Sequence, residues 1–303
     1  MWHKIWQCQN ISGDKRMNVK QLKVEGIIPA LATPMNDNES INEKGLKEII
    51  NFVIEGGVHG IFVSGSQGES FSMTMDEKKR VIAVSLEASA GRVPIYAGTG
   101  TITTAQAMQL TRMARELGAD AVSVTTPYFI KPTQNELIDY YKAVSDSAED
   151  MPVLLYSNPT RTGVMIDIDT VVKLSELDNV VGMKDSSGDI VQTSGYIEAT
   201  KDMDFSILVG NDACIFSALV SGGKGAVAAT ANVAPKLIVG LYDAVKAGNI
   251  DLARKLQFRL LPIRRAFTMG TFPVVIKEAL NLMGLPAGPA RKPIQPLSPE
   301  KRE

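Results

Sequence analysis

Eight short apolar segments recur along the chain, and each precedes a longer segment with helical apolar spacing. The eight segments are residues 26–34, 60–65, 94–100, 121–127, 152–158, 180–186, 205–211 and 225–230. Their hydrophobicity is continuous rather than alternating, which is typical of parallel strands covered on both faces. Parallel strands need crossover connections, and an amphipathic helix is the usual one. The alternation therefore predicts an α/β protein with a parallel sheet.

The connecting segments carry helix start signals. Thr74 is followed three residues later by Glu77, and Thr133 is followed in the same way by Glu136, which is the spacing of a capping box. Each pair precedes apolar residues at helical spacing. We predict helices over residues 42–55, 75–90, 104–117 and 134–148.

The number of units distinguishes between two α/β architectures. Eight βα units within residues 24–240 match the size of a (β/α)8 TIM barrel. The rival, a doubly wound open sheet, usually has a glycine fingerprint after its first strand, but residues 35–39 here contain no glycine. Residues 222–225 are glycine-rich and lack the spacing of a phosphate-binding loop. A barrel is therefore the predicted fold.

Helical patterns without strands follow the eighth unit, and they predict a C-terminal helical appendage. Residues 235–247 form either the last barrel helix or the first helix of this tail, and residues 250–267 and 273–283 follow. The proline-rich residues 286–299 predict an irregular segment over the surface. We divide the chain into an N-terminal extension (1–23), a catalytic barrel (24–240) and a C-terminal helical region (241–303).

Composition excludes several kinds of partner and chemistry. The 32 basic and 33 acidic residues leave a net charge of −1, which gives no reason to expect nucleic acid or an anionic membrane as a partner. No apolar run reaches the roughly 18 residues of a membrane span. Cys8 and Cys214 lack metal-ligand spacing, and with only His3 and His59 neither a zinc site nor a Ser-His-Asp triad is expected. We expect His59, which precedes an apolar strand, to be structural.

The first 20 residues lack the apolar core and cleavage site of a signal peptide, so a cytoplasmic protein is expected. Met17 is an alternative start, which would make residues 1–16 an upstream extension. We expect that segment to be loosely held.

Lys184 stands near the end of the sixth apolar segment. A buried ammonium is costly unless it is paired or has lost its proton. A neutral, desolvated lysine is the amine that attacks a carbonyl to form a Schiff base. The structural alternative is a lysine that reaches solvent or pairs with Asp185, and the residue alone does not separate these hypotheses.

Other strand ends carry groups that suit the same chemistry. In a parallel barrel the active site lies at the carboxyl ends of the strands, where Tyr156, the Ser66-Gln67 turn and Arg161 would join Lys184. A phenol shuttles protons, the backbone N–H groups of a tight turn bind a carboxylate, and an arginine binds a second one. Tyr156 alone could be a core tyrosine and Arg161 a solvated loop charge. Together they favour Schiff-base catalysis.

Six motifs at the strand ends resemble those of the dihydrodipicolinate synthase / N-acetylneuraminate lyase family. They are GSQGES, TPYFIKPTQNEL, YSNPTRTGV, GMKDSSGD, and GND together with AATANVAP, and the resemblance runs from about Gly26 to about Leu297. Family members are class I aldolases that form a Schiff base with pyruvate. The resemblance implies pyruvate and an aldehyde as substrates, no metal or organic cofactor, and a homotetramer built as a dimer of dimers.

The resemblance also implies roles for single residues. Lys184 matches the Schiff-base lysine, Tyr156 the proton-shuttling tyrosine, and Ser66 a hydroxyl in the proton relay. The turn of Ser66 and Gln67 matches the site of the pyruvate carboxylate. Arg161 matches the arginine that holds the carboxylate of the incoming aldehyde.

Val227 matches a residue whose backbone carbonyl lies near the pyruvate.

Two positions depart from the usual synthase pattern: Gln67 replaces a threonine, and Tyr128-Phe129 replaces a pair of tyrosines. The second tyrosine of that pair reaches into the neighbouring subunit to complete the relay, and Phe129 has no hydroxyl. Either Tyr128, a water or another group takes over, or the protein catalyses a different reaction.

The residues that accompany lysine regulation in the family also differ in this chain. Lysine-sensitive synthases carry an asparagine and a glutamate where this chain has Ile102 and Gln106. We therefore predict no strong inhibition by lysine.

Three functional hypotheses follow from these residues. The first is condensation of pyruvate with aspartate semialdehyde to 4-hydroxy-tetrahydrodipicolinate, which Arg161 favours. The second is cleavage of a 2-keto-3-deoxy sugar acid or a related 2-oxo acid, which Gln67 and Phe129 favour. The third is a non-catalytic barrel that binds a 2-oxo acid, which the missing relay hydroxyl favours.

Overall fold

Eight parallel strands form one sheet in a computed structural model that describes residues 22–302. Their order is β1-β8-β7-β6-β5-β4-β3-β2, and a bridge between Ala30 and Phe62 joins the two remaining edges. The sheet therefore closes into a barrel, and the predicted (β/α)8 TIM-barrel fold is confirmed. The strands are β1 (Gly26–Pro29), β2 (Ile61–Val63), β3 (Ile95–Gly98), β4 (Ala121–Thr125), β5 (Val153–Ser157), β6 (Val180–Asp185), β7 (Ser206–Val209) and β8 (Gly225–Ala228).

The helices lie outside the barrel and join successive strands. Both predicted capping boxes form: Thr74 and Glu77 exchange hydrogen bonds at one helix start, and Thr133 and Glu136 do so at another. The helices are α1 (Glu43–Glu55), α2 (Met75–Ser89), α3 (Thr104–Leu117), α4 (Gln134–Ala148), α5 (Pro159–Thr162), α6 (Ile168–Leu174), α7 (Ile190–Ala199), α8 (Ile215–Val220), α9 (Pro235–Lys246), α10 (Ile250–Ala266), α11 (Val274–Leu282) and α12 (Pro299–Arg302).

Alternation along the strands divides the core into two layers. Ile27 packs with residues of the surrounding helices, whereas its neighbour Ile28 belongs to the cluster that fills the barrel. That inner cluster includes Phe62, Tyr96 and Tyr156. Large side chains thus fill the barrel interior, and the space for a ligand remains at its mouth.

The C-terminal helices pack against the barrel. Gln257 of α10 accepts a hydrogen bond from the backbone N–H of Phe216 and donates one to the carbonyl of Asp212. Residues 286–298 contain no helix or strand, as the proline-rich sequence predicted. The division at residue 240 falls inside α9 and stays a prediction. Residues 1–21, which make up most of the predicted extension and include Met17, lie outside the described residues.

None of the helices in residues 22–302 combines the length and the apolar character that crossing a bilayer requires.

Candidate active site

A cavity of about 360 Å³ opens at the carboxyl ends of the strands. Its walls come from the ends of β1, β2, β5, β6, β7 and β8 and from residues 264–276, which run from the end of α10 into α11. The residues predicted from the sequence to act on the substrate all line it: Ser66, Gln67, Tyr156, Arg161, Lys184 and Val227.

Lys184 is buried in this cavity without a counter-charge. Only 4% of its surface is exposed. Its Nζ lies 3.9 Å from the centroid of the Tyr156 ring and 4.8 Å from that of Phe62. No ion pair in residues 22–302 includes Lys184. The carboxylate of Asp185 instead accepts hydrogen bonds from Ser187 and Thr193, so the structural alternative of a solvated or Asp185-paired lysine is wrong.

Tyr156 faces Lys184 because the two residues are register partners in adjacent parallel strands. Burial by itself would raise the pKa of the Tyr156 phenol. The charge of Lys184 and hydrogen bonds with Lys184, Asn158 and Ser66 outweigh burial and hold this pKa below its usual value. The Asn158 amide donates to the phenol oxygen over 2.9 Å. The phenol is therefore prepared to give up and recover a proton next to the amine.

The Ser66-Gln67 turn follows β2 and is fixed from the C-terminal region. Glu69, at the end of this turn, adopts a left-handed backbone conformation with φ 59° and is fully buried. Its carboxylate accepts hydrogen bonds from the Lys277 ammonium at 2.7 Å and from the backbone N–H of Arg291 at 2.8 Å. The turn is thus held in place by residues more than 200 positions away in the chain.

Gln67 occupies the position where a threonine was expected. Its side chain is 3% exposed, and its amide donates to the carbonyl of Pro273 over 3.4 Å. The amide oxygen has no hydrogen-bond partner among the described residues. A buried acceptor without a donor is costly, so a ligand hydroxyl or N–H at this point would be stabilising.

Arg161 lies in α5, immediately after β5. Its guanidinium carbon is 4.2 Å from the centroid of the Phe272 ring, and no described carboxylate pairs with it. An oriented guanidinium without a counter-ion is suited to a ligand carboxylate. Val227 in β8 also lines the cavity and is 4% exposed.

The structure does not bring Tyr128 and Phe129 into the cavity. Neither residue lines it, and Phe129 is 89% exposed with φ 78°. Their predicted part in a relay or a dimer contact stays a prediction. His59 accepts a hydrogen bond from the backbone N–H of Ile27 over 3.1 Å, which agrees with the structural role expected for it.

Sequence reasoning missed the wall formed by the C-terminal region. Arg264, Phe267, Thr268 and Phe272 line the cavity, yet they follow no strand. The rule that barrel active sites lie at strand ends gives no signal for residues on an appended helix. Asn158 was within reach of that rule, because it directly follows β5. Among the described residues, no three His, Cys, Asp or Glu side chains are placed to bind a metal.

The closed barrel and the polar cavity at its carboxyl end define the class of (β/α)8-barrel enzymes. Residues 23–303 match the Dihydrodipicolinate synthetase family, and the chain belongs to that family. The family predicted from the motifs is therefore confirmed.

Relatives cover the chain almost completely. The 4-hydroxy-tetrahydrodipicolinate synthase of Methanoculleus marisnigri is 41% identical over 92% of this chain and 96% of its own length. The 4-hydroxy-tetrahydrodipicolinate synthase of Methanosphaerula palustris is 40% identical over 91% of this chain and 95% of its own length. A dihydrodipicolinate synthase structure from Bacillus anthracis superposes with a TM-score of 0.89 at 35% identity, covering 93% of this chain and 96% of that one.

Proposed function

We propose that the protein is a Schiff-base-forming lyase that condenses pyruvate with aspartate semialdehyde, as a 4-hydroxy-tetrahydrodipicolinate synthase does. One observation carries the proposal: Lys184 is buried without a counter-charge, with its Nζ 3.9 Å from the Tyr156 ring. The names of the relatives support the same reaction.

The pyruvate half of the reaction uses Lys184, Tyr156 and the Ser66-Gln67 turn. The amine of Lys184, once it has given up its proton, attacks the ketone carbon of pyruvate, water leaves, and an imine forms. Backbone N–H groups of the turn hold the pyruvate carboxylate. Tyr156, which accepts a hydrogen bond from Asn158 and lines the cavity together with Ser66, transfers the protons of imine formation and of the step from imine to enamine.

The aldehyde half uses Arg161. The enamine carbon attacks the aldehyde carbon, a C–C bond forms, and the aldehyde oxygen becomes a hydroxyl by taking a proton. Arg161 holds the acceptor's carboxylate, with its guanidinium positioned by Phe272. Water then hydrolyses the imine or, with aspartate semialdehyde, the acceptor's amine displaces Lys184 by closing the ring.

A second candidate is the cleavage of a 2-keto-3-deoxy sugar acid, which releases pyruvate by the reverse steps. The buried Gln67 oxygen, which lacks a donor, favours it because a sugar hydroxyl would supply one. Phe129, which offers no hydroxyl for a relay, is the other departure from a synthase.

The proposal is tested by trapping the imine. Borohydride reduction in the presence of pyruvate should leave a pyruvyl adduct on Lys184, located by peptide mass spectrometry. Lys184→Ala should give no adduct and no turnover, whereas Lys173→Ala, at an exposed lysine, should behave as wild type. A wild-type protein without an adduct would instead support the non-catalytic barrel.

Acceptor assays then separate the two catalytic candidates. Pure enzyme is assayed for condensation of pyruvate with aspartate semialdehyde and for cleavage of 2-keto-3-deoxygluconate. A higher kcat/KM for the first supports the synthase. A strong preference for the second supports the sugar-acid lyase.

Assembly and location belong to the same proposal: a cytoplasmic homotetramer arranged as a dimer of dimers. Phe129 and Ile130 are 89% and 73% exposed, which is consistent with a subunit contact at this loop. Light scattering on the wild type should give four chains, and Phe129→Asp should give fewer. A monomeric wild type would contradict the tetramer.

A further inference from the structure

Arg264 lies in the wall of the cavity although no strand carries it. It sits near the end of α10, and Thr268, four residues later, lines the same cavity. Residues 267–269 continue α10 as a short 3-10 turn, so the two side chains share one face of a continuous helical segment. A guanidinium and a hydroxyl are thus presented together.

The Arg264 guanidinium is oriented but is not neutralised. Its Nε donates to the Asn211 side-chain oxygen over 3.4 Å, and its Cζ is 4.7 Å from the centroid of the Phe267 ring. Among the described residues it makes no other hydrogen bond and no ion pair. Most of its five N–H donors are therefore available to a ligand.

The charges that line the cavity are unbalanced. Lys184, Arg161 and Arg264 face a single acidic side chain, Asp212. Asp212 is 2% exposed, and its carboxylate accepts a hydrogen bond from the backbone N–H of Thr230. Burial raises the pKa of Asp212, although the Thr230 hydrogen bonds and the charge of Arg264 oppose this. Three cationic side chains against one acidic one leave an excess of positive charge at the mouth.

Two of these three cations have a ligand in the proposed reaction. Lys184 forms the imine, and Arg161 takes the single carboxylate of aspartate semialdehyde. The remaining charged group of that aldehyde is an ammonium, which the Arg264 guanidinium repels. Arg264 thus has no partner in that substrate.

We propose that Arg264, together with Thr268, forms a second oxyanion-binding position, and that the cavity also takes aldehydes with a carboxylate or phosphate at the end remote from the aldehyde. This inference rests on the proposed Schiff-base function. The reaction balances without a further reagent: the enamine carbon bonds to the aldehyde carbon, the aldehyde oxygen gains a proton, and water releases the 4-hydroxy-2-oxo acid from Lys184.

Matched pairs of aldehydes test the inference. Glyceraldehyde 3-phosphate is compared with glyceraldehyde for phosphate, and succinic semialdehyde with butyraldehyde for carboxylate, each with pyruvate. Wild type should show a higher kcat/KM for the charged member of at least one pair. Arg264→Gln should lower that preference roughly tenfold to hundredfold, mainly through KM, because a charge-assisted hydrogen bond is lost. Arg265→Gln, at the adjacent exposed arginine, should keep it.

The outcomes separate this inference from the proposed function. An enzyme that forms the pyruvyl adduct but favours the charged member of neither pair overturns the second oxyanion position. The position is also overturned if the preference for the charged aldehyde survives in Arg264→Gln, or if Arg265→Gln lowers that preference equally. If no adduct forms, the proposed function fails, and calorimetric binding of succinate still tests the position: equal affinity in wild type and Arg264→Gln overturns it.

Discussion

The Lys184 ammonium nitrogen lies 3.9 Å from the centre of the Tyr156 ring, and the two residues are register partners in β6 and β5. Adjacent parallel strands point register partners to the same face of a sheet. Their side chains therefore meet inside the barrel mouth, where little water remains to screen the interaction. The lysine and the phenol consequently affect each other's reactivity directly.

Removing the phenol oxygen should abolish most of the activity. Tyr156→Phe should lower kcat by about 10²–10⁴-fold, the usual contribution of a positioned proton-transfer group, with a smaller change in KM. Tyr141→Phe is the matched control, because Tyr141 is equally buried and its hydroxyl donates to the carbonyl of Val124. It should cost stability rather than kcat. Equal effects of the two substitutions on kcat would argue against the relay.

The titration of Tyr156 should depend on Lys184. Because the lysine's charge holds the pKa of this phenol below its usual value, ultraviolet titration of wild type should show one tyrosine ionising early. In Lys184→Met the burial of Tyr156 is no longer opposed by that charge, so the early phase should move to higher pH. Tyr156→Phe identifies the phase by eliminating it. An unchanged early phase in Lys184→Met would contradict the coupling.

The ion pair between Glu77 and Arg291 should make stability depend on acid pH. The Arg291 hydrogen bond is the main reason that the pKa of Glu77 falls from 4.5 to about 2. A depressed pKa means that the contribution is present above pH 4.5 and is lost as pH falls toward about 2. Glu77→Gln, which still caps α2, should be less stable at neutral pH by about 2 kcal/mol.

The stability deficit of Glu77→Gln relative to wild type should shrink below pH 4.5. Urea unfolding at a series of pH values measures this deficit. Glu136→Gln is the control, since Glu136 occupies the same capping-box position and no described arginine or lysine pairs with it. It should show a smaller pH dependence. A Glu77→Gln deficit that persists unchanged at pH 2 would disprove the linkage.

The buried pair of Glu69 and Lys277 should stabilise the protein and position the pyruvate turn. Both side chains are 0% exposed, so Lys277→Met leaves a buried carboxylate without its partner. We expect a loss of about 3–5 kcal/mol in the free energy of unfolding. The KM for pyruvate should rise as well, because Glu69 ends the turn that carries Ser66.

The double variant Glu69→Gln/Lys277→Met separates charge from packing. It removes both charges together, so it should recover a large part of the lost stability. Denaturant unfolding of Glu69→Gln, Lys277→Met and the double variant gives the coupling free energy between the two side chains. Additive losses would show that the pair does not act as a unit.

Lysine should not act as a feedback inhibitor. Ile102 has no polar side-chain group where lysine-sensitive synthases carry an asparagine, and Gln106 has no charge where they carry a glutamate. Ile102 is 50% exposed. Initial rates with aspartate semialdehyde should stay unchanged across millimolar lysine, with a lysine-sensitive synthase measured in parallel. Half-inhibition in that range would refute the prediction.

The amino-acid sequence by itself determined the elements and most of the reaction centre. Continuous apolar segments and the capping boxes at Thr74 and Thr133 are local signals, so they could be read without knowing what packs where. The rule that barrel active sites lie at strand ends then placed Lys184 and Tyr156 on one rim. Both residues line the cavity in the structure.

Only the tertiary structure decided how the mouth of the cavity is completed. Glu69 meets Lys277 across 208 residues, and Arg264 reaches the cavity from a helix that belongs to no strand-helix unit. Such contacts depend on how the appended helices pack on the barrel, and no periodicity or motif encodes that packing. The sequence determined the strands and the lysine because those signals are local. The pairing of Glu69 with Lys277 and the position of the Arg264 guanidinium depended on the complete fold.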